Sequence, residues 1–144
     1  MTEIDREVVR RKLAVMVRNL ERLQAIERLS LEAYRADWTR VKATERVLQE
    51  LVEAAVDVNQ HLLAASGSGA APDYRQSFLE AGRLGIIPSS LAAELAPSAG
   101  LRHRLVHEYD EIDDAIVLAA VREARSLYPA YLEAVERYLK AAPS

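Results

Sequence analysis

The chain has 144 residues, of which 50% are hydrophobic, a formal net charge of −3 and no cysteine. The lack of cysteine excludes disulfides and thiolate-bound metals. The small net charge gives no global attraction to nucleic acid or to membranes. Only five glycines and five prolines are present, too few for an all-β fold rich in tight turns. The N-terminus is polar and acidic, unlike a signal peptide, and no apolar run approaches the roughly 20 residues that span a bilayer. We therefore expect one soluble, cytoplasmic, all-α domain over residues 1–144, without membrane contact.

The first predicted helix runs from about Asp5 to Leu31, where apolar residues recur with helical spacing. Its polar face is rich in arginine, which we interpret mainly as a solvated face that pairs with glutamates at i+4. The alternative is a stripe that faces RNA or a protein partner. The arginines of this face are Arg6, Arg10, Arg11, Arg18, Arg22 and Arg28.

A second helix is predicted over Trp38–Ala65, with Asp37 as its N-cap. Asp57 and His61 lie four residues apart on it, a spacing that is compatible with a metal site. Because no third ligand accompanies them, an ordinary surface or structural pair is the favoured interpretation.

Residues 66–72 are rich in serine and glycine and predict a surface loop inside the domain. Asp73 then begins a capping pattern for a helix over Tyr74–Ala81. A short helix follows over Ser90–Leu95, for which Ser89 is the expected cap.

Pro97 suits the first turn of a helix that we expect to continue to about Tyr109. Asp113 is the expected cap of the last helix, predicted over Asp114–Lys140. The elements together predict an up-and-down bundle of four main helices plus short ones.

The most informative stretch is GLRHRLVHEY, residues 100–109, which contains two of the three histidines. Because an ideal helix turns about 100° per residue, one arc of this helix gathers polar groups and the opposite arc is apolar. The polar arc contains Arg102, His103 and His107, with Tyr109 at its edge. The apolar arc contains Leu101, Leu105 and Ile112.

These residue types suit phosphodiester chemistry without a metal. An imidazole moves protons near neutral pH, and a guanidinium binds a phosphate through two hydrogen bonds and stabilises its developing charge. The structural alternative is that Arg102 pairs with Asp110 or Glu108 and that His103 only contributes to packing. On spacing alone this alternative is favoured, because an arginine and a histidine five positions apart form a weak pattern.

The pattern R-x4-H-x-Y, formed by Arg102, His107 and Tyr109, resembles the signature of HEPN-domain ribonuclease toxins of the HepT-like kind. These toxins are found beside MNT-type minimal nucleotidyltransferases. One departure is His103, since asparagine is common after the arginine in that family. The resemblance covers most of residues 41–118, including Thr44–Gln49 leading to Asp57 and His61, Tyr74–Phe78, Leu84–Pro88, Leu95–Pro97, Gly100–Arg102 and Val106–Asp113.

The resemblance implies a HEPN fold and a homodimer whose two motifs meet in a cleft at the subunit interface. It implies that Arg102 and His107 are the catalytic pair, with His103 in support, and that RNA is cleaved without a metal or other cofactor. It also implies a hetero-oligomer with an MNT-type nucleotidyltransferase antitoxin, which neutralises the toxin by adding AMP to Tyr109.

Two alternatives to the ribonuclease remain at this point. The first is a non-catalytic HEPN-type module that binds nucleotide or a nucleotidyltransferase partner, for which the unusual His103 leaves room. The second is a purely structural bundle, which is disfavoured by a strongly polar arc beside Leu101 and Leu105.

Overall fold

The computed structural model describes residues 3–108 and 110–143. This part of the chain forms helices without a β-strand, so the predicted all-α fold is confirmed. Within these ranges, three long helices are accompanied by four shorter ones. They are α1 (Arg6–Glu27), α2 (Leu31–Arg35), α3 (Trp38–Ala65), α4 (Tyr74–Arg83), α5 (Ser89–Leu95), α6 (Ser98–His107) and α7 (Asp114–Ala141).

Aspartate side chains begin four of these helices, where backbone N–H groups lack partners inside the helix. Asp37 accepts a hydrogen bond from the backbone N of Arg40 at 3.2 Å, and Asp73 accepts one from Gln76 at 2.7 Å. Asp5 and Asp113 act in the same way for α1 and α7. The caps that the sequence predicted at Asp37, Asp73 and Asp113 are therefore confirmed.

Four predicted boundaries are wrong, one of which is the end of the helix predicted over Tyr74–Ala81, since α4 continues to Arg83. The first helix ends at Glu27, because Ser30 caps a separate short helix, α2, which the periodicity did not reveal. Ser89 is the first residue of α5 and not its cap, since Pro88 stands at the N-cap position without a side-chain hydrogen bond. The motif helix α6 ends at His107, because the backbone of Glu108 leaves the helical conformation at φ −128° and ψ 30°.

Helix α3 is the central element, in contact with α1, α2, α4, α6 and α7. Its inner face is fully buried at Leu51, Ala55 and Leu62, and α7 buries Val117 and Val121 in the same core. Removal of this apolar surface from water is the main stabilising contribution to such a bundle. None of the helices in the described ranges combines the length and the apolar character needed to cross a lipid bilayer.

A buried chain of polar groups ties α7, α3 and α4 together. The Tyr131 hydroxyl lies 2.6 Å from Asn59 Oδ1, to which it donates, and Asn59 Nδ2 donates to Ser77 Oγ at 3.2 Å. The Ser77 hydroxyl donates to the carbonyl oxygen of Tyr74 at 2.7 Å. Burial raises the pKa of the Tyr131 phenol well above its usual value, so the hydroxyl remains a donor. This chain fixes the start of α4 relative to α3.

The arginine-rich face of α1 is used partly for structural contacts with α7. Arg6 donates to the carbonyl oxygens of Leu139 and Ala142, and Arg10 forms an ion pair with Glu136 at 2.9 Å. For these two arginines the predicted pairing with glutamates along α1 is wrong, because α7 packs beside this face and supplies the acceptors.

Candidate active site

Helix α6 presents its apolar and polar arcs as predicted. Leu105 is buried and Leu101 is half-buried in the core. Ile112 is also buried, although it follows the end of α6. The apolar arc packs against the core, where α6 contacts α3. The polar side chains of the opposite arc consequently face away from the core.

Arg102, His103 and His107 lie together on that polar arc. The ring centroids of the two histidines are 4.6 Å apart, with the ring planes tilted by 46°. Both histidines are exposed, whereas Arg102 is half-buried. One guanidinium and two adjacent imidazoles are thus available to a ligand at the surface, and packing does not account for His103.

Arg102 binds neither of the acidic residues that the structural alternative assigned to it. Its Nε and Nη2 atoms donate to Glu53 Oε2 at 3.0 and 2.7 Å. The alternative pairing with Asp110 or Glu108 is wrong because α6 ends at His107, whereas α3 places Glu53 directly beside the guanidinium. The same guanidinium lies over the ring of Tyr74, 4.8 Å from its centroid.

Glu53 and Tyr74 are the site residues that sequence reasoning did not single out. A signal was present for Glu53, the one charged residue in the run from Leu51 to Val56, whose other members are buried. A single carboxylate within an apolar stretch predicts a positively charged or hydrogen-bonding partner, because burial of an unpaired charge lowers the stability of the fold. Its partner, Arg102, is 49 residues away in the chain, so local spacing did not identify it.

A groove of about 670 Å³ opens beside this cluster, between the N-terminal ends of α4 and α6. An added Cβ at Gly100 would meet nothing within 4 Å, which indicates an open approach along the start of α6. We call this feature the α4–α6 groove. Its lining consists of Asp73, Tyr74, Arg75, Ala96, Pro97, Ala99, Gly100, Arg102 and His103.

Asp57 and His61, the possible metal ligands of α3, have separate partners at α1. Asp57 lies 2.9 Å from Lys12 Nζ, and His61 Nε2 accepts a hydrogen bond from the backbone N of Asp5 at 2.9 Å. The sequence did not predict these contacts with Lys12 and Asp5. Within the described ranges, no three His, Asp or Glu side chains form a cluster suited to a metal ion.

Tyr109 lies outside the described residues. Its predicted place at the edge of the polar arc, and its role as the AMP acceptor, therefore stay predictions.

Residues 16–138 match the family described as Ribonuclease HepT-like. The chain belongs to this family. The predicted membership of the HepT-like family is thereby confirmed, and so is the assignment to a family of ribonucleases.

Two relatives and one solved structure are similar to this chain over most of its length. The chain is 38% identical to a tRNA nuclease HepT from Aphanizomenon flos-aquae over 139 residues, 96% of this chain and 95% of that protein. It is 23% identical to an mRNA nuclease HepT from Shewanella oneidensis over 130 residues, 90% of this chain and 97% of that protein. A solved structure of the tri-AMPylated Shewanella oneidensis HEPN toxin in complex with an MNT antitoxin has a TM-score of 0.81. At 23% identity, covering 90% of this chain and 97% of that one, it shows the shared HEPN fold.

Proposed function

We propose that the protein is the toxin of a toxin–antitoxin system, a metal-independent endoribonuclease whose centre is formed by Arg102 and His107 with His103 in support. One observation carries the proposal: a chain of the HepT-like ribonuclease family has a guanidinium and two imidazoles grouped on the exposed arc of α6. RNA is the substrate class, and tRNA is the first substrate to assay because a relative that is 38% identical is a tRNA nuclease.

Arg102 is assigned to the scissile phosphate. A guanidinium holds a phosphate through two parallel hydrogen bonds, and its charge stabilises the charge that grows on the phosphate oxygens in the transition state. The α4–α6 groove leads to Arg102 and His103. It offers the RNA strand a path along the start of α6.

His107 is assigned to proton transfer. The ribose 2′-oxygen bonds to phosphorus as the bond from phosphorus to the 5′-oxygen breaks, which leaves a 2′,3′-cyclic phosphate and a 5′-hydroxyl. The 2′-hydroxyl loses a proton and the leaving 5′-oxygen gains one, exchanges that an imidazole mediates near neutral pH. His103, with its ring centroid 4.6 Å from that of His107, limits the positions open to the catalytic ring.

The active form that we propose is a homodimer with both motifs in one cleft. A single motif contributes one guanidinium and a narrow polar arc, which leave most of an RNA strand in solvent. A second copy of α6 opposite the first doubles the positive charge in the cleft. This local charge makes activity on RNA compatible with an overall net charge of −3.

The antitoxin that we propose is an MNT-type nucleotidyltransferase that adds AMP to Tyr109, two residues beyond the end of α6. The solved complex of an AMPylated HEPN toxin with an MNT antitoxin supports this proposal through the shared fold. Because Tyr109 follows His107 by two positions in the sequence, we expect each AMP to bring a negatively charged phosphodiester close to Arg102 and His107. That charge and bulk compete with RNA for the guanidinium, as an added phosphate does elsewhere.

RNA cleavage by the purified protein in EDTA tests the activity. Wild-type protein should cleave RNA in the chelator, and His107→Ala should lower the rate about a hundredfold to ten-thousandfold, because a positioned acid or base contributes about that factor. His61→Ala is the matched control, since His61 lies on α3 and accepts a hydrogen bond from the backbone N of Asp5. This variant should retain the wild-type rate. Circular dichroism establishes that both variants are folded.

Other results of these assays would contradict the metal-free mechanism or the ribonuclease activity. Complete loss of wild-type cleavage on chelation, or unchanged cleavage by His107→Ala, contradicts the metal-free mechanism. If neither tRNA nor mRNA is cut by wild-type protein, the non-catalytic binding module becomes the better interpretation.

The AMP acceptor is tested with Tyr109→Phe, which keeps the ring and removes only the acceptor oxygen. Incubated with the partner nucleotidyltransferase, ATP and magnesium, wild-type protein should gain AMP in intact-mass spectrometry and lose its cleavage activity. Tyr109→Phe should gain no AMP and remain active, whereas Tyr138→Phe, a control in α7, should behave as wild type. AMP addition to Tyr109→Phe with loss of its activity would show that the assigned acceptor is wrong.

A further inference from the structure

We infer that Glu53 is a positioning residue for Arg102: it occupies one edge of the guanidinium and so determines which edge is offered to RNA phosphate. The inference rests on the proposed function, because it assigns Arg102 to the phosphate. It adds a residue from α3 to the proposed catalytic residues Arg102, His103 and His107, which all lie on α6.

The hydrogen bonds divide the guanidinium into an occupied and a free edge. A guanidinium has five N–H donors in a planar fork. Glu53 Oε2 takes the Nε donor and one Nη2 donor of Arg102. The remaining donors, both on Nη1 and one on Nη2, include the end-on pair that matches two phosphate oxygens.

Glu53 itself is held in place. Gln49, one turn earlier on α3, donates to the same Oε2 atom at 3.3 Å. The backbone around it is fixed because the adjacent Val52 and Ala54 are buried in the core. The side chains of Arg102 and Glu53 are 25% and 28% exposed, so water only partly screens their attraction.

Tyr74 restricts the guanidinium from a second direction. Its ring covers one face of Arg102 at 4.8 Å, and α4, which carries it, is tied to α3 through Ser77 and Asn59. One edge and one face of the guanidinium are thus taken by the protein before substrate arrives. Preorganisation of this kind lowers the cost of orienting a charged group in the transition state.

Glu53 therefore has two opposing effects. Its negative charge offsets the charge of Arg102, which weakens the binding of RNA phosphate. Its hydrogen bonds orient Arg102, which accelerates the chemical step. A residue that merely supports the fold would not separate substrate affinity from turnover in this way.

Three variants separate the two effects. Glu53→Ala removes both charge and acceptor, Glu53→Gln removes the charge and keeps an acceptor oxygen, and Glu53→Asp keeps the charge but shortens the reach. Cleavage of tRNA gives kcat and KM. Fluorescence anisotropy with a 2′-O-methylated RNA, which cannot be attacked, gives Kd separately from chemistry.

We expect kcat to depend on the orientation of the Arg102 guanidinium and Kd to depend on the charge of residue 53. Glu53→Ala should lower kcat about tenfold to a hundredfold, the scale expected for a misplaced catalytic group, and should tighten Kd roughly threefold to tenfold. Glu53→Gln should tighten Kd similarly with a smaller loss of kcat. Glu53→Asp should leave Kd near the wild-type value and still lower kcat.

Glu50→Gln is the matched control. Glu50 lies one turn before Glu53 on α3 and faces Arg46 at 3.9 Å, so the variant changes the net charge equally without touching Arg102. It should leave kcat unchanged and alter Kd less than Glu53→Gln does. Thermal unfolding checks the fold of every variant, and Glu53→Gln and Glu53→Asp carry the test if Glu53→Ala does not fold.

Two other outcomes would contradict either the role of Glu53 or the proposed function. An unchanged kcat in all folded Glu53 variants, or a kcat that rises as Kd falls, removes the positioning role and leaves the ribonuclease assignment intact. A wild-type protein that cuts no RNA overturns the proposed function and, with it, the role of Glu53.

Discussion

Polar side chains are placed in opposite ways in two regions of the molecule. They are buried in the interface of α3 and α7, whereas they reach the surface on the motif helix α6. In the interface, Tyr131 and Asn59 are fully buried and bind one another. On α6, whose one buried residue is Leu105, the imidazoles face solvent and Arg102 is linked to α3 through a partly exposed ion pair.

Because of this difference, the polar residues that stabilise the fold and those proposed for catalysis lie in different regions of the chain. A buried donor or acceptor must keep its partner, because losing it leaves an unsatisfied group away from water. A polar group on α6 retains water as an alternative partner. The stability of the fold therefore does not depend on that side chain, which can bind a ligand instead. Substitutions in the two regions should therefore give different classes of defect.

The largest expected effect is on activity, from Arg102. Arg102→Ala should reduce RNA cleavage about a hundredfold or more, the scale of losing one preorganised charge-stabilising donor. The fall in Tm should be small, because the side chain of Glu53 is 28% exposed and keeps water and Gln49 as partners. Arg104→Ala is the control on the same helix, since about 200° of rotation points it away from Arg102. It should retain most of the activity. Cleavage assays beside thermal unfolding decide the matter, and equal losses in both variants would mean that the two sides of α6 do not differ in function.

The next effect is on stability, from Tyr131. Tyr131→Phe should lower the free energy of unfolding by about 1–3 kcal/mol, because it leaves the buried Asn59 Oδ1 without its donor. In Tyr128→Phe the loss should be smaller, since the hydroxyl partner there, Ser98, is half-buried and can bind water. Urea denaturation measures both. A larger loss in Tyr128→Phe would contradict the distinction between the two regions.

The smallest effect is expected at Gly100, for which Gly82 is the contrasting position. Gly100→Ala should stabilise the protein by about 0.5–1 kcal/mol, since alanine is a better helix former and the added Cβ meets nothing within 4 Å. Gly82→Ala should destabilise it, because an added Cβ would lie 2.5 Å from Ala92 Cβ where α4 and α5 cross. Paired Tm measurements test the opposite signs, and a destabilised Gly100→Ala would indicate an unrecognised contact on α6.

Local chemistry accounts for the features that the sequence predicted correctly. The caps at Asp37, Asp73 and Asp113 depend on backbone groups two or three residues away. The two arcs of α6 depend on helical periodicity. The missed helix α2 has five residues, too few to show a periodic pattern, and the early end of α6 depends on the backbone conformation of Glu108.

The sequence by itself determined the all-α class, the long helices and the cluster of Arg102, His103 and His107, because each follows from residues within a few turns of one another. Only the tertiary structure decided that Arg102 binds Glu53 and lies over Tyr74, since α3, α4 and α6 must pack before these side chains meet. The same holds for the partners of Asp57 and His61 at α1. Contacts between residues far apart in the chain leave little trace in local spacing, and they are the contacts that orient the candidate active site.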